Sequence, residues 1–398
     1  MISTLTEQPP RVHAADAAAA APASGAAGEP GLSATASGSL AAALRRSAEI
    51  ERRIGQEPHS FRILTGDRPT GDLHLGHYFG TLRNRVRLQD AGAELFVLIA
   101  DYQALTDRDA TVSPGTVSPG TGAIGQHVLS LVLDYLAVGV DPARSVIFAH
   151  SAVPEVNQLM LPFLSLVTEG ELRRNPTVKD EIAHSRQASV SGLMLTYPVH
   201  QAADILACKG NLVPVGQDQL PHVEVTRLIA RRFNDRYPGA GGAAVFPEPD
   251  ALLSDAPLLL GTDGGKMSKS RGNAIALRAT ADETARLIKG AKTDALRHIS
   301  YHPSGRPEVS SLVLLAALCL DREPVTVAEE IGGGGAALLK QTVTDAVNDV
   351  LAPVRARRAE LAADPGYARQ VLRDGCDRAR AVTTATLEEV RDAMGMRY

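Results

Sequence analysis

The sequence predicts an α/β fold with a doubly wound parallel sheet, preceded by a disordered tail and followed by an α-helical domain. Short apolar runs alternate with segments of helical periodicity over residues 58–280, as in strand–helix–strand units that share one parallel sheet. The pattern is helical throughout residues 281–398. Residues 1–57 are rich in Ala, Gly, Ser and Pro, so we expect most of this tail to be disordered, with room for a helical turn or more in residues 40–54.

Each predicted element rests on a local pattern. Strands are predicted where apolar or β-branched residues run together, at residues 61–64, 95–100, 145–149 and 211–215. Helices are predicted where apolar residues recur at helical spacing, at residues 75–89, 128–138 and 219–233. The first strand should end at Thr65 and Gly66, in a loop that leads into the first helix.

Composition excludes several classes of protein. The 398 residues are 44% hydrophobic and 22% charged with a net charge of −4, so any contact with nucleic acid must come from local basic patches. The 3 cysteines form no CxxC pair, and we expect neither a disulfide framework nor a structural metal site. The longest apolar run, residues 312–320, is too short to cross a bilayer, and no signal peptide is recognisable, which predicts a cytoplasmic protein with no membrane segment.

A Gly-rich loop with two histidines joins the first strand to the first helix. Gly66 and Gly71 allow unusual torsions and close approach to the backbone, and Gly76 leaves the start of the helix open to a flat ring. His74 and His77 share one face near the helix N-terminus, where anions are favoured. Two imidazoles there can donate hydrogen bonds to a triphosphate and to charge that develops in a transition state. A capped helix with two incidental histidines would have the same pattern.

A second Gly-rich loop carries paired lysines. The chain has only 7 Lys, yet Lys266 and Lys269 lie three residues apart, next to the hydroxyls of Ser268 and Ser270. Residues 264–265 are glycines that give the loop hinge freedom. Such a loop suits closure over a pyrophosphate leaving group, although a solvated basic loop would look the same.

Together these loops resemble the two signature motifs of class I aminoacyl-tRNA synthetases. HLGH at 74–77 and KMSKS at 266–270 occur in the order of that class, which implies its Rossmann-like sheet. Four further segments resemble tryptophanyl-tRNA synthetases: RRNPTVK at 173–179, LTYPVHQAADIL at 195–206, VPVGQDQ at 213–219 and TLEEVRDAMG at 386–395. The resemblance covers the chain from about residue 60 to the end.

Some positions depart from the commonest family pattern. His77 stands where many members have Asn, and Arg68 where they have Gln or Lys. The glycines at 332–335 replace a Gly-Tyr-Gly or Gly-Leu-Gly element that often precedes a lysine. In these respects the chain resembles a second, auxiliary lineage of the enzyme.

The resemblance implies a two-step reaction without a covalent enzyme nucleophile. ATP, with Mg²⁺ on its phosphates, and L-tryptophan form tryptophanyl-adenylate and pyrophosphate, and the tryptophanyl group then passes to the 3′ end of tRNA(Trp). Positioning and charge stabilisation do the catalytic work. Members of the family are usually homodimers, and their helical C-terminal domain binds the tRNA anticodon.

The resemblance also implies roles for individual residues. His74, His77, Lys266 and Lys269 are the expected catalytic residues. The expected ATP-binding residues are Arg68, Pro69, Thr70, Gly76, His77, Gly216, Gln217, Asp218, Lys266, Met267, Ser268, Lys269 and Ser270. Asp204 is expected to accept the indole N–H of tryptophan, with Tyr197 and Gln201 at its ammonium or carboxylate; a capping or ion-paired helix carboxylate is the alternative for Asp204. Lys179 is as consistent with a surface lysine as with a phosphate contact.

Six arginines of the helical domain are candidates for tRNA contact because phosphates favour basic side chains: Arg355, Arg357, Arg358, Arg373, Arg378 and Arg380. An ordinary exposed helix face would have the same charges.

For the whole chain, three other functions fit parts of the pattern: a tyrosyl-tRNA synthetase, a small nucleotidyltransferase with a similar histidine loop, and a paralogue that has become a regulatory or binding protein.

Overall fold

A computed structural model describes residues 34–106, 122–184, 190–253, 259–268 and 271–398. Residues 42–398 form one compact unit. The helices are α1 (Ala34–Gln56), α2 (Leu75–His77), α3 (Arg83–Ala91), α4 (Gly122–Ala137), α5 (Pro154–Leu164), α6 (Glu169–Arg174), α7 (Pro176–His184), α8 (Gly192–Ala207), α9 (Leu220–Arg236), α10 (Ala281–Lys289), α11 (Pro307–Leu320), α12 (Pro324–Ile331), α13 (Gly335–Ala362) and α14 (Pro365–Ala393).

The described strands form one parallel sheet, as the sequence predicts. They are β1 (Arg62–Asp67), β2 (Glu94–Ile99), β3 (Ser145–Ala149), β4 (Leu212–Val215) and β5 (Asp250–Leu253), in the spatial order β3-β2-β1-β4-β5. Every adjacent pair is parallel. The strand order reverses between β1 and β4, and ligands of open α/β sheets bind beyond the carboxyl ends of the strands at such a reversal.

The first strand is longer than predicted. Thr65 and Gly66 belong to β1 and pair with Val97 and Leu98 of β2, so the loop begins only after Asp67. A Cβ at Gly66 would lie 2.3 Å from the carbonyl oxygen of Leu98. The glycine that the sequence analysis assigned to a loop is therefore required for close packing of two strands.

The first predicted helix is interrupted by a π-helical segment. Leu75–His77 is α-helical, Tyr78–Leu82 is π-helical, and Arg83–Ala91 is α-helical again. Such segments inside α-helices are frequent at functional sites. This one directly follows the two histidines of the first motif.

Residues 41–56 are helical, as the sequence analysis allowed for residues 40–54, but they are packed on the core, which the prediction of a disordered tail did not include. They belong to α1, whose Ile50 and Ile54 are almost completely buried in the main hydrophobic core. The hydroxyl of Ser47 accepts a hydrogen bond of 2.9 Å from the backbone N–H of Leu253, the last residue of β5. A short apolar stripe on a mostly polar helix was enough for docking, and the Ala-rich composition around it obscured this signal. Residues 1–33 lie outside the described part of the chain.

The C-terminal region is helical, as predicted, and its last helix covers an edge of the sheet. Helix α14 packs against β3, and a Cβ at Gly375 would lie 1.9 Å from the carbonyl oxygen of Ile147. Protecting an edge strand in this way prevents pairing with other chains. Within the described ranges, no helix is both long and apolar enough to cross a membrane.

Candidate active site

A cavity of about 390 Å³ opens at the carboxyl ends of β1 and β4, at the point where the strand order reverses. Residues 65–67 of β1 line one side, and residues 213–216 line another. Helix α8 contributes Tyr197, Gln201 and Asp204, which follow one another at helical spacing and face the same space. The fold thus gathers polar groups from three separate segments around one cavity.

The two histidines cap the helix on which they lie. Nδ1 of His74 accepts a hydrogen bond of 3.2 Å from the backbone N–H of Gly76, and Nδ1 of His77 accepts one of 3.2 Å from the N–H of His74. A neutral ring that accepts at Nδ1 carries its proton at Nε2, so each ring keeps a donor. His77 lines the cavity, whereas His74 is buried beneath it with its ring centroid 3.9 Å from that of His77.

Gly76 provides space within this arrangement. A Cβ there would lie 3.0 Å from two atoms of the His74 ring and 3.6 Å from the sulfur of Met267. The ring that packs on this glycine is thus the chain's own histidine. Both interpretations of the two histidines fit this geometry. Both rings cap the helix, and His77 also lines the cavity, where it can contact a ligand.

The lysine loop lies directly beside the histidine loop. His74 and Ala276 form an antiparallel bridge, flanked by hydrogen bonds from Leu75 N–H to the carbonyl of Ile275 (3.0 Å) and from Leu277 N–H to that of Leu73 (2.9 Å). Although 192 residues separate His74 from Lys266 in the sequence, the segment that follows the lysines is fixed to the histidine motif. Lys266 itself is exposed.

Asn273 holds the described part of the lysine loop in shape. Its buried amide donates to the Asp263 carboxylate (2.6 Å) and to the carbonyl of Lys266 (3.1 Å), and its oxygen accepts from Ser268 N–H (2.8 Å). The Asp263 carboxylate also accepts from Gly265 N–H at 2.8 Å. The side chains of Asn273 and Asp263 therefore fix the backbone on both sides of Lys266, where regular secondary structure is lacking.

Asp204 is a buried carboxylate on the cavity wall. It is only 1% exposed and lies among apolar residues of α8. Its Oδ1 lies 2.6 Å from Nε2 of His150, and its Oδ2 accepts a hydrogen bond of 3.2 Å from the amide of Gln103. Burial of a carboxylate is costly unless donors face it, and these two donors meet that requirement. The arrangement is not that of a helix cap or a surface ion pair.

Atoms of His150, His200 and Asp204 lie within 4.8 Å of one another, a spacing that metal ligands can also have. The contact of 2.6 Å between His150 and Asp204 is a hydrogen bond, because two ligands of one tetrahedral zinc ion stand about 3.3 Å apart. The cluster is therefore explained by its own hydrogen bonds.

Tyr197 has two polar partners at the cavity wall. Its hydroxyl lies 3.0 Å from Nε2 of His222, and burial together with the Glu181 carboxylate raises the pKa of Tyr197 well above its usual range. Burial lowers the pKa of His222 to about 4. Near pH 7 the phenol is therefore protonated and the imidazole neutral, so the pair adds polarity to the cavity without net charge.

A buried ion pair supports the floor of the cavity. Arg85 is 1% exposed and donates to Asp67 (2.6 Å), to the hydroxyl of Thr65 (3.0 Å) and to the carbonyl of Gly66 (3.3 Å). The hydroxyl of Tyr135 donates to the same Asp67 oxygen at 2.7 Å. Burial alone would raise the pKa of Asp67, but the charge and hydrogen bond of Arg85 lower it to about 2. Asp67 is therefore an anion at the end of β1.

Comparison with known proteins identifies the family. The family model for "tRNA synthetases class I (W and Y)" matches residues 56–352. This chain belongs to the class I tRNA synthetases. The match includes the sheet, the cavity, the histidine loop and the lysine loop, so the two motifs that the sequence analysis singled out are those of a class I synthetase.

Three individual relatives are named for tryptophan. The chain is 42% identical over 348 residues to a protein of Clostridium longisporum named tryptophan–tRNA ligase, with 84% of this chain and 97% of the relative covered. A tryptophan–tRNA ligase of Treponema pallidum (strain Nichols) is also 42% identical, with 84% and 97% coverage. Among solved structures, tryptophanyl-tRNA synthetase of Campylobacter jejuni complexed with ADP and tryptophan superimposes with a TM-score of 0.70 at 30% identity, covering 84% of this chain and 99% of that one.

The cavity gathers seven of the 17 residues that the sequence analysis assigned to the site of this class I synthetase. Those that line it are Arg68, Thr70, His77, Tyr197, Gln201, Asp204 and Gly216. Those described but not lining it are Pro69, His74, Gly76, Gln217, Asp218, Lys266, Met267 and Ser268. Met267 is buried in the hydrophobic core beside Gly76. Lys269 and Ser270 lie outside the described residues.

Sequence reasoning missed eight polar residues of the cavity wall, namely Thr65, Asp67, Thr81, Arg85, Gln103, Glu181, Gln219 and His222. Asp67 and Gln103 follow or end strands at the carboxyl edge of the sheet, and this position is a usable signal. No signal in the sequence indicated Arg85, because an arginine on a polar helix is expected to be exposed.

Three of the six arginines considered for tRNA contact instead attach the C-terminal helices to the sheet-forming part. Arg358 binds Asp134 (2.6 Å), Arg378 binds the carbonyl of Pro142 (2.7 Å), and Arg380 donates to the carbonyl of Ala152 at 2.5 Å. Arg355 bonds within the helical region, to Asn348 and Thr284. Arg357 and Arg373 are exposed. Arg358, Arg378 and Arg380 therefore have a structural role, while contact of the six arginines with tRNA stays a prediction.

Replacing Arg85 with methionine is expected to lower the free energy of unfolding by about 3 kcal/mol, because Asp67 would remain as a buried anion without its cation. Urea unfolding measures the change. Arg87→Met on the same helix is the matched control, since Arg87 pairs with Glu51 at the surface and such pairs contribute at most about 1 kcal/mol. Equal losses in the two variants would contradict a structural role for the buried pair.

Proposed function

We propose that this protein is a tryptophan–tRNA ligase that activates L-tryptophan with ATP, supplied as its Mg²⁺ complex, and transfers the tryptophanyl group to the 3′ end of tRNA(Trp). The observation that carries this proposal is a buried hydrogen-bond acceptor, Asp204, in the same cavity as Arg68 and His77. One end of the cavity suits a ring with a single N–H donor, and the other end suits phosphates. The names of the relatives agree with this assignment.

In the first step, a carboxylate oxygen of tryptophan attacks the α-phosphorus of ATP, the bond from this phosphorus to the bridging oxygen breaks, and pyrophosphate leaves. Arg68 and the Nε2 donor of His77 are the groups that we assign to the phosphates from the β1 side. We assign Lys266 and Lys269, with Ser268 and Ser270, to stabilisation of the leaving pyrophosphate. His74 keeps His77 in place. No side chain forms a bond to substrate, so the rate depends on position and charge.

For the nucleoside we assign the backbone at residues 68–70, Gly76 and residues 216–218. A Cβ at Gly216 would lie 2.7 Å from the carboxylate of Asp218, so this turn can hold only glycine without a shift. The turn follows β4 directly, at the strand-order reversal where nucleotides bind in folds of this kind.

Tryptophan is recognised mainly through Asp204. Its carboxylate accepts the indole N–H, and a ring without that donor would leave a buried acceptor unpaired. Tyr197 and Gln201, on the same face of α8, hold the ammonium or the carboxylate of the amino acid. The carboxylate of Glu181, beside Tyr197, adds negative charge at this end of the cavity.

In the second step, the 2′-hydroxyl of the terminal adenosine attacks the carbonyl carbon of the adenylate, and AMP leaves. The helical region at 281–398 binds the anticodon part of the tRNA, with Arg357 and Arg373, whose hydrogen bonds stay within their own helices, as candidate cations. A homodimer that acts in the cytoplasm, where translation takes place, completes the proposal; the mass of the protein in solution tests the dimer.

Amino-acid-dependent exchange of pyrophosphate into ATP tests the proposed function. We expect exchange with tryptophan, at a kcat/KM about 10³-fold or more above that with tyrosine or phenylalanine. Charging of tRNA(Trp) should follow with the same preference. Exchange driven by tyrosine would favour a tyrosyl enzyme, and no exchange with any amino acid would favour a regulatory paralogue.

A further inference from the structure

A histidine that does not reach the cavity determines how Asp204 is presented to it. His150 follows β3 directly and is completely buried, and its Nε2 lies 2.6 Å from Oδ1 of Asp204. Only Asp204 of this pair lines the cavity. We propose that His150 is a positioning residue that fixes the Asp204 carboxylate as a hydrogen-bond acceptor and thereby sets selectivity for an amino acid whose ring carries an N–H. The inference rests on the proposed function and deepens it.

The proton between the two residues can be assigned from the partners. An ionised carboxylate only accepts hydrogen bonds, so the hydrogen in this contact belongs to Nε2 of His150. The other ring nitrogen, Nδ1, is buried and has no hydrogen-bond partner within the described part of the chain. In a neutral ring with its proton on Nε2, Nδ1 carries only a lone pair, which is left without a donor. In a charged ring, Nδ1 would carry an N–H that is buried without an acceptor. His150 thus donates one hydrogen bond and leaves the negative charge on Asp204.

The ring of His150 is held from two sides. The ring of His200 lies 4.5 Å away at 39°, and that of Tyr102 is stacked at 6.2 Å and 13°. Nε2 of His200 lies 2.8 Å from the amide oxygen of Asn157, which fixes that ring in turn. Burial lowers the pKa of His200, so this neighbour does not place a positive charge beside His150. Aromatic packing and one amide therefore leave His150 little freedom to rotate.

The hydrogen bond between His150 and Asp204 affects which substrate ring is preferred. Oδ1 of Asp204 is engaged by His150, and Oδ2 faces Gln103, a side chain that also lines the cavity. Without His150, the carboxylate could rotate away from the orientation in which it accepts a hydrogen bond from the substrate ring. The benefit of an N–H on the substrate ring would then decrease, while contacts with the rest of the ring would remain.

The test compares L-tryptophan with β-(3-benzothienyl)-L-alanine, whose ring carries sulfur in place of N–H, in pyrophosphate exchange with the full-length protein. His150→Leu removes the donor and is expected to raise KM for tryptophan about 30-fold, while KM for ATP and for the sulfur analogue changes less than about threefold. His150→Gln restores an N–H of similar reach and should bring KM for tryptophan back to within about threefold of the unmodified protein. Equal losses for both amino acids, or no rescue by Gln, would overturn the proposal.

A second comparison covers the case in which the Leu variant does not fold. His150→Asn places its amide too far from Asp204, so its preference for tryptophan over the sulfur analogue should fall well below that of His150→Gln. The same preference in both amide variants would overturn the proposal. The two hypotheses remain separable, because an unmodified protein without tryptophan-dependent exchange contradicts the function, whereas an active protein with unchanged His150 variants contradicts only the positioning role.

Discussion

The Asp204→Asn variant is expected to lose about 10³-fold in kcat/KM for tryptophan in pyrophosphate exchange. The substitution keeps the size of the side chain but replaces one acceptor oxygen by an NH₂ donor. The indole N–H then loses a charge-assisted hydrogen bond of about 1.5–3 kcal/mol, and buried donors that face one another cost a further 1–3 kcal/mol or so. Because both hydrogen-bond partners of Asp204 are donors, the amide cannot satisfy all three groups.

The same assay contains its own controls. KM for ATP should change less than about threefold, because the residues that we assign to the phosphates lie on other segments. Asp235→Asn, an exposed carboxylate near the end of α9, should leave both constants unchanged. If Asp204→Asn kept full activity with tryptophan, or lost affinity for ATP and tryptophan alike, recognition of the indole by Asp204 would be wrong.

Gly375→Ala is expected to destabilise the protein by about 4 kcal/mol or more, which is the range of severe core overpacking. The added methyl group would lie 1.9 Å from the carbonyl oxygen of Ile147 and 2.8 Å from its carbonyl carbon. Both atoms belong to the backbone of β3, which cannot move without breaking its pairing with β2. Helix α14 must therefore separate from the sheet edge, and its two anchoring contacts, those of Arg378 and Arg380, come under strain.

Urea unfolding followed by circular dichroism measures this loss. Gly125→Ala is the matched control: this glycine also lies within a helix, α4, but a Cβ there would have no atom within 4 Å. Alanine is the better helix former by about 1 kcal/mol, so the control should be neutral or slightly more stable. A Gly375→Ala variant as stable as the control would show that α14 does not pack tightly on β3.

Much of the fold could be predicted from local patterns. The runs at 95–100 and 145–149 are continuous and apolar because both faces of these strands are covered, and both are strands in the structure. Local patterns predict less where a residue is constrained by contact with a segment that is distant in the sequence. Gly66 looks like a loop glycine in sequence, but its constraint is the carbonyl of Leu98 on another strand.

The α8 residues of the candidate site came from the family resemblance, whereas their partners through tertiary contact could not be predicted. Tyr197, Gln201 and Asp204 lie on one face of α8 and meet at the cavity, as their spacing indicates. His150 and Gln103 approach Asp204 only because the carboxyl ends of parallel strands converge. The contact of Arg358 could not be predicted for a related reason, because its partner, Asp134, is more than two hundred residues away in the sequence.

The proposed function requires one cleft that holds the adenine nucleotide and the amino acid between the histidine loop and the lysine loop. A crystal structure of this protein with L-tryptophan and a non-hydrolysable ATP analogue tests this most directly. We expect the indole nitrogen within about 3.2 Å of an Asp204 oxygen, and the phosphates between His77 and the lysine loop. An indole directed away from Asp204, or phosphates bound away from both loops, would contradict the account.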